Sequence, residues 1–260
     1  MLFDAHNHLH DPRLDPWRAS MLADLPCHGI AGMVVNGTRA ADWPAVAALA
    51  RAEARVQPAF GLHPWHLDGR GPDWLAELEG WLRRFPEAGV GEFGLDRWMR
   101  DPDLPAQRQC FVAQLDLAVR LQRPATIHCL RAWGLLEQLL RESPRPGRGF
   151  LLHSYGGPVE LVPIFARLGA YFSVSPWFGH PAKAARLAVF RQVPLERLLI
   201  ETDAPDMAPP AELDREPLPN GLNSTGNLRV SLELLARVRP DPLEVLEAQL
   251  AENHRRLFGR

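Results

Sequence analysis

His6-Asn7-His8, at the end of the apolar run Met1-Leu2-Phe3-Asp4-Ala5, places two imidazoles two residues apart. Along an extended strand, residues two apart point to the same side. His6 and His8 are therefore expected to project together, with Asn7 turned away. Two neutral imidazoles side by side make half of a borderline divalent-metal site. The other half is available further along, where polar residues close or lie within apolar runs: His63, Glu92, Asp96, His128, His153, Glu201 and Asp203. Four imidazoles and two carboxylates are enough for a binuclear centre with open positions for water. A glutamate between two cations can bridge them and offset the repulsion that would keep them from sitting ~4 Å apart. Asp203 can ligate one ion and accept a proton from the attacking water. The ions lower the pKa of that water and polarise a scissile ester. This is hydrolysis without a nucleophilic side chain, and no GxSxG elbow or Walker A loop offers a competing mechanism.

The elements that must position these residues are legible as alternating patterns. Eight strand-like runs recur: Leu2–Ala5, Gly32–Asn36, Gln57–Leu62, Val90–Leu95, Ala125–Cys129, Gly149–His153, Ala170–Ser175 and Arg197–Thr202. Several are apolar at consecutive positions, as strands buried on both faces of a parallel sheet require. Helical spacing lies between them. Asp42-Trp43-Pro44 opens one helix, and Gln107–Gln122 sets Phe111, Leu115, Ala118 and Val119 on one face. Asp241-Pro242-Leu243-Glu244 reads as a cap, a first-turn proline and a capping-box glutamate. Eight strands alternating with helices predict a (β/α)8 TIM-type barrel, one domain over residues 1–260, with its active site at the carboxyl ends of the strands. A doubly wound open sheet competes but lacks the Gly-rich fingerprint after its first strand. The Pro-, Gly- and Asn-rich stretch Ala208–Leu228 is expected as a long loop on the active-site rim.

Bulk properties narrow the class further. The 260 residues are 46% hydrophobic and 23% charged, an ordinary globular composition with a formal net charge of −2. No general electrostatic pull toward nucleic acid is visible, although bound cations would supply their own positive charge. Cys27, Cys110 and Cys129 have no paired spacing and suggest no disulfide framework. No apolar run approaches the ~18 residues of a membrane span, and no signal pattern opens the chain. A reduced, cytoplasmic protein with no membrane association is expected, and no obligate protein partner can be inferred.

The ordered motifs resemble the TatD family of metal-dependent hydrolases, within the amidohydrolase-like barrel superfamily. They are Phe3-Asp4-Ala5-His6-Asn7-His8, Gly61-Leu62-His63-Pro64, Gly91-Glu92-Phe93-Gly94-Leu95-Asp96, Pro124–His128, His153 before Gly156-Gly157, Glu201-Thr202-Asp203-Ala204-Pro205 and Asn253-His254-Arg255-Arg256-Leu257-Phe258. The resemblance implies one metal on His6, His8, Glu92 and Asp203, and a second on Glu92, His128 and His153. It implies that His63 faces a substrate phosphate. It further implies magnesium-dependent DNase activity, including 3′-to-5′ exonuclease action, with some members linked to D-aminoacyl-tRNA. The chain departs from the family pattern at Leu130, where an arginine is usual, and at Asn223-Ser224-Thr225-Gly226-Asn227, where an Arg-Asn-Glu-Pro motif is usual.

The expected function is a metal-dependent phosphodiesterase using two divalent ions (Mg, Mn or Zn), with DNA favoured as substrate. Catalytic roles fall to Asp203, Glu92 and His63. Arg97 and Arg131 are the candidate phosphate contacts. Trp65, Trp98, Trp133 and Trp177 could line a groove that stacks bases. His10, His28, His66, His180 and His254 are expected as ordinary surface or capping histidines, and Cys129 as a small packed residue. The alternatives are a hydrolase of another ester or amide, such as D-aminoacyl-tRNA or a small phosphoester, and a non-catalytic metal-binding scaffold.

Overall fold

The computed structural model describes residues 1–259. Its strands are β1 (Leu2–Asn7), β2 (Ile30–Asn36), β3 (Val56–Phe60), β4 (Gly89–Asp96), β5 (Ala125–Leu130), β6 (Phe150–Leu152), β7 (Ala170–Val174) and β8 (Leu198–Ile200). Its helices are α1 (Arg18–Asp24), α2 (Trp43–Ala52), α3 (Trp74–Arg84), α4 (Leu104–Arg120), α5 (Trp133–Glu142), α6 (Val162–Arg167), α7 (Ala184–Leu187), α8 (Leu228–Val238) and α9 (Leu243–Phe258). The strands lie in sequence order and every ladder is parallel. The ring closes past the last ladder, where His8 N–H donates to the Ala204 carbonyl (2.7 Å) and Asp203 N–H to that of His6 (3.0 Å). This is the expected (β/α)8 barrel.

Helix faces explain the outer shell. α2 buries Trp43, Val46 and Ala47, and α5 buries Leu136, Leu139 and Leu140, each at i, i+3, i+4 spacing. Each buried leucine contributes about 2 kcal/mol of transfer free energy. Inside the barrel, Ala5, Val34 and Ala59 meet the larger Leu151, Tyr171 and Leu199, and Leu257 and Phe258 at the end of α9 close the cluster. Every residue of β4 is buried, as a strand covered on both faces must be.

The strands differ from the predicted runs by a few residues at their ends. β8 is only Leu198–Ile200, because Glu201-Thr202-Asp203 leaves the ladder to enter the site. The cap expected at Asp241 is absent. Pro242 occupies the N-cap, and the Asp241 carboxylate instead accepts from Arg239 Nε at 2.6 Å. Ala208–Gly226 holds only short 3-10 turns ahead of α8, in keeping with the predicted loop.

Candidate metal centre

A parallel barrel delivers the carboxyl ends of all its strands to one mouth, and five of the predicted histidines converge there on one carboxylate. The two oxygens of Glu92 face different partners. Oε2 lies 3.4 Å from His6 Nε2 and 3.2 Å from His8 Nε2. Oε1 lies 2.8 Å from His153 Nε2, 3.1 Å from His128 Nδ1 and 3.4 Å from His63 Nε2. Asp203 Oδ1 completes the first side, 3.3 Å from His6 Nε2 and 3.5 Å from His8 Nε2. His6, Glu92, His63, His128, His153 and Asp203 are buried, while His8 is partly exposed.

Local backbone geometry makes this convergence possible. The β1–β2 ladder shifts register between Asp4 and Asn7, where β1 delivers His6 to the mouth. Asp203 has φ 57°, a left-handed conformation that aspartate tolerates better than most residues. β4 is drawn against its neighbours at two glycines. A Cβ on Gly94 would overlap the His128 carbonyl oxygen, and one on Gly61 would lie 2.7 Å from the Glu92 carbonyl oxygen.

The outer nitrogens of the histidines fix which nitrogen faces the centre. His8 Nδ1 lies 2.8 Å from the Asn36 carbonyl. A carbonyl only accepts, so Nδ1 carries the proton and the Nε2 lone pair points inward. His128 Nε2 meets Asp96 Oδ2 at 3.1 Å, leaving Nδ1 toward Glu92. His153 Nδ1 lies 3.6 Å from Glu201 Oε1, whose other carboxylate oxygen takes the Ser173 hydroxyl. Neither ring nitrogen of His6 has a hydrogen-bond partner, although the ring is fully buried. Orphaned buried nitrogens beside shared carboxylate oxygens are the donor set a pair of divalent cations would satisfy.

Electrostatics agree with that fit. Burial alone would neutralise these groups, and opposite charges outweigh it. His8 is raised well above the ordinary imidazole value by the adjacent Asp203 and Glu92 carboxylates, and His153 by those of Glu92 and Glu201. Burial raises Glu92, but the charges of His153, His63 and His6 carry it well below the usual carboxylate range. Burial likewise opposes the nearby His6 and His8 imidazoles, 3.3 and 3.5 Å away, that lower Asp203. These imidazole protons are the ones a cation would displace. His63 behaves differently: burial takes it down to about 4. Its Nδ1 accepts from Trp65 N–H at 3.1 Å, so a neutral His63 carries its proton on Nε2, facing the cavity.

The sequence reading missed some supports. Asp4, fully buried, accepts from His6 N–H (3.2 Å), Thr202 N–H (3.0 Å), Thr202 Oγ1 (2.6 Å) and Asn7 Nδ2 (3.0 Å). It ties the His6 strand to the Asp203 segment. Burial pushes its carboxyl up to about 7 against the Thr202 hydrogen bonds. Asn223, in the segment that departs from the family pattern, is a brace: its Nδ2 donates to the Thr202 carbonyl at 2.7 Å. Ser231 Oγ donates to the Glu201 carbonyl at 2.8 Å.

The mouth is a cavity of about 860 Å³. His8, His63, Glu92, His128, His153 and Asp203 line it, with His10, Arg39, His66, Trp65, Trp98 and Leu130 around them. Arg97 and Arg131 are exposed and do not line this cavity. Each follows the last residue of its strand, and Arg131 turns there with a left-handed φ of 56°. Two of the histidines expected at the surface are buried. His10 sits 3.6 Å from Asp42, and His254 stacks on Phe3. Trp133 packs on Tyr155 and Trp177 lies under Lys183, so only Trp65 and Trp98 of the four tryptophans reach the cavity. Cys129 packs in the core as expected. Among the described residues, no helix is long and apolar enough to cross a membrane.

Known proteins are similar to this chain over nearly its whole length. The family model described as TatD related DNase matches residues 3–259. An uncharacterized metal-dependent hydrolase, YjjV of Escherichia coli, is 30% identical over 98% of this chain and 97% of its own. The 3′-5′ ssDNA/RNA exonuclease TatD of Erwinia amylovora is 32% identical over 89% of each chain. The crystal structure of E. coli YjjV superposes with a TM-score of 0.91 at 28% identity, covering 100% of this chain and 98% of that one. The chain therefore belongs to the TatD family of metal-dependent hydrolases.

Proposed function

We propose that this chain is a binuclear metal-dependent phosphodiesterase that trims single-stranded nucleic acid, with DNA the favoured substrate. The observation that carries the reading is the division of Glu92, one oxygen toward His6 and His8, the other toward His128 and His153. In this reading His6, His8, Asp203 and Glu92 hold one cation, and Glu92, His128 and His153 hold the second. When bound, two divalent ions (magnesium, manganese or zinc by donor chemistry) would supply Lewis acidity for the attacking water and the phosphodiester.

The protein's own groups do the rest. Asp203, kept ionised by His6 and His8, accepts the proton of the attacking water. His63 Nε2–H donates to a non-bridging phosphate oxygen, and its depressed pKa keeps it a neutral donor at neutral pH. Glu92 holds the two halves in register. The 3′-to-5′ direction is carried over from the Erwinia relative.

The test is turnover of end-labelled single-stranded DNA, with D-aminoacyl-tRNA and a small phosphodiester as competitors, across a series of divalent ions. The expected result is stepwise shortening of DNA, abolished by a chelator and restored by an added ion. Metal-independent turnover, or turnover confined to the other esters, overturns the reading.

A further inference from the structure

We infer that Trp65 and Trp98 form a stacking platform for the bases flanking the scissile phosphate, held in register with the metal centre by Asp96. This deepens the nucleic-acid reading above and rests on it. Trp65 is 52% exposed and Trp98 57%, while Trp43 in the same fold is 1% exposed. Two open indoles on the wall of one polar cavity are costly unless something covers them.

Both are pinned. Trp65 Nε1–H donates to Asp96 Oδ2 at 2.7 Å, and Trp98 backbone N–H donates to Asp96 Oδ1 at 2.6 Å. Asp96 Oδ2 also meets His128 Nε2 at 3.1 Å. One carboxylate therefore spaces the aromatic wall from a histidine of the centre. The Trp65 ring lies 5.2 Å from that of His63, edge-on, so a phosphate at His63 puts its neighbouring base within reach of the indole. Leu130 lines the same wall and keeps it apolar. A fixed aromatic face binds with little loss of side-chain freedom. Every base has a π-face, so such a wall accepts any sequence but needs bases free of a duplex stack.

The experiment uses the metal-loaded enzyme and two single-stranded oligonucleotides, one intact and one abasic at the terminal two positions. KM and kcat are measured for wild type, Trp65→Ala, Trp98→Ala and Trp98→Phe. Dissociation constants for nuclease-resistant phosphorothioate strands are read by fluorescence anisotropy. Stacking contributes a factor of about 5 to 150 per base. Each alanine variant is expected to raise KM and Kd on the intact strand within that range, and Trp98→Phe to restore most of it. Abasic sites are expected to cost wild type a similar factor, and the two losses should not add. Trp98 is largely solvent-exposed, so its variants report on binding even if Trp65→Ala disturbs the fold. Equal losses on both strands, or no loss at Trp98, overturn the platform while leaving the nuclease reading intact. Absence of oligonucleotide cleavage by metal-loaded wild type overturns both, beginning with the nuclease reading.

Discussion

Asp4→Asn tests whether the centre depends on the brace beneath it. The amide is isosteric, so no cavity opens. Its oxygen can still accept from the backbone N–H groups of His6 and Thr202. Its nitrogen then faces Asn7 Nδ2 and Thr202 Oγ1. The hydroxyl can turn to accept, but Asn7 cannot turn, because its Oδ1 already accepts from Leu9 N–H at 3.0 Å. One buried donor is left facing another, a cost of about 1–3 kcal/mol. For a chain of this size, 2 kcal/mol lowers Tm by about 4–8 °C. Burial raises the Asp4 carboxyl to about 7, so its contribution is fully present below the unfolded value of 3.8 and is lost as pH rises through 7. The deficit of the variant should therefore narrow between pH 5 and pH 8. Because Asp4 orients strands that carry His6 and Asp203, affinity for a divalent ion should also fall, by about tenfold or more. Urea denaturation of chelated protein and calorimetric metal titration measure both effects. Unchanged stability together with unchanged metal affinity would refute the reasoning.

Other perturbations bear on the centre directly. His6→Ala, Glu92→Gln and Asp203→Asn should each abolish turnover and reduce bound metal without unfolding the barrel, checked by metal analysis and circular dichroism; full hydrolysis by Asp203→Asn would remove its role as base. Asp96→Asn loses the charged acceptor for His128 and Trp65, and should lower metal affinity by about 10- to 100-fold while raising KM. His63 is lowered from 6.5 to about 4, so metal-free protein should hold its full contribution above pH 6.5 and lose up to about 3 kcal/mol as pH falls through 4. His63→Gln should flatten that acid limb in denaturation curves at pH 7 and pH 4.5, and an unaltered limb would assign the acid sensitivity elsewhere.

The sequence carried the barrel and the residues that gather into the candidate cluster because both depend on patterns local to a strand. An apolar run and the polar residue that ends it are neighbours in the chain, so His128 after Ile127 or His153 after Leu152 could be read directly. Partnerships between strands were hidden. Nothing near Asp4 in sequence names Thr202, and nothing near Asp96 names Trp65. His10 looked like a surface residue because its burial comes from Asp42 and the loop after β2. Arg97 and Arg131 were plausible by proximity alone, and in the structure they sit exposed just past the ends of β4 and β5. The departure from the family pattern at Asn223–Asn227 did not reveal a supporting role, in which Asn223, and Ser231 of α8, hold the peptide groups on either side of Thr202.

Closure of the ring sets a condition on when the enzyme can become active. His6 and His8 leave the ribosome early, while Asp203 follows almost 200 residues later and Ser231 of α8 later still. The His8–Ala204 and Asp203–His6 backbone bonds form only after that interval. A nascent chain arrested before β8 would carry the imidazoles but neither Asp203 nor the Thr202 that Asp4 grips. The candidate centre is thus completed only in molecules whose synthesis has passed the eighth strand, and a truncated translation product would lack its Asp203 side.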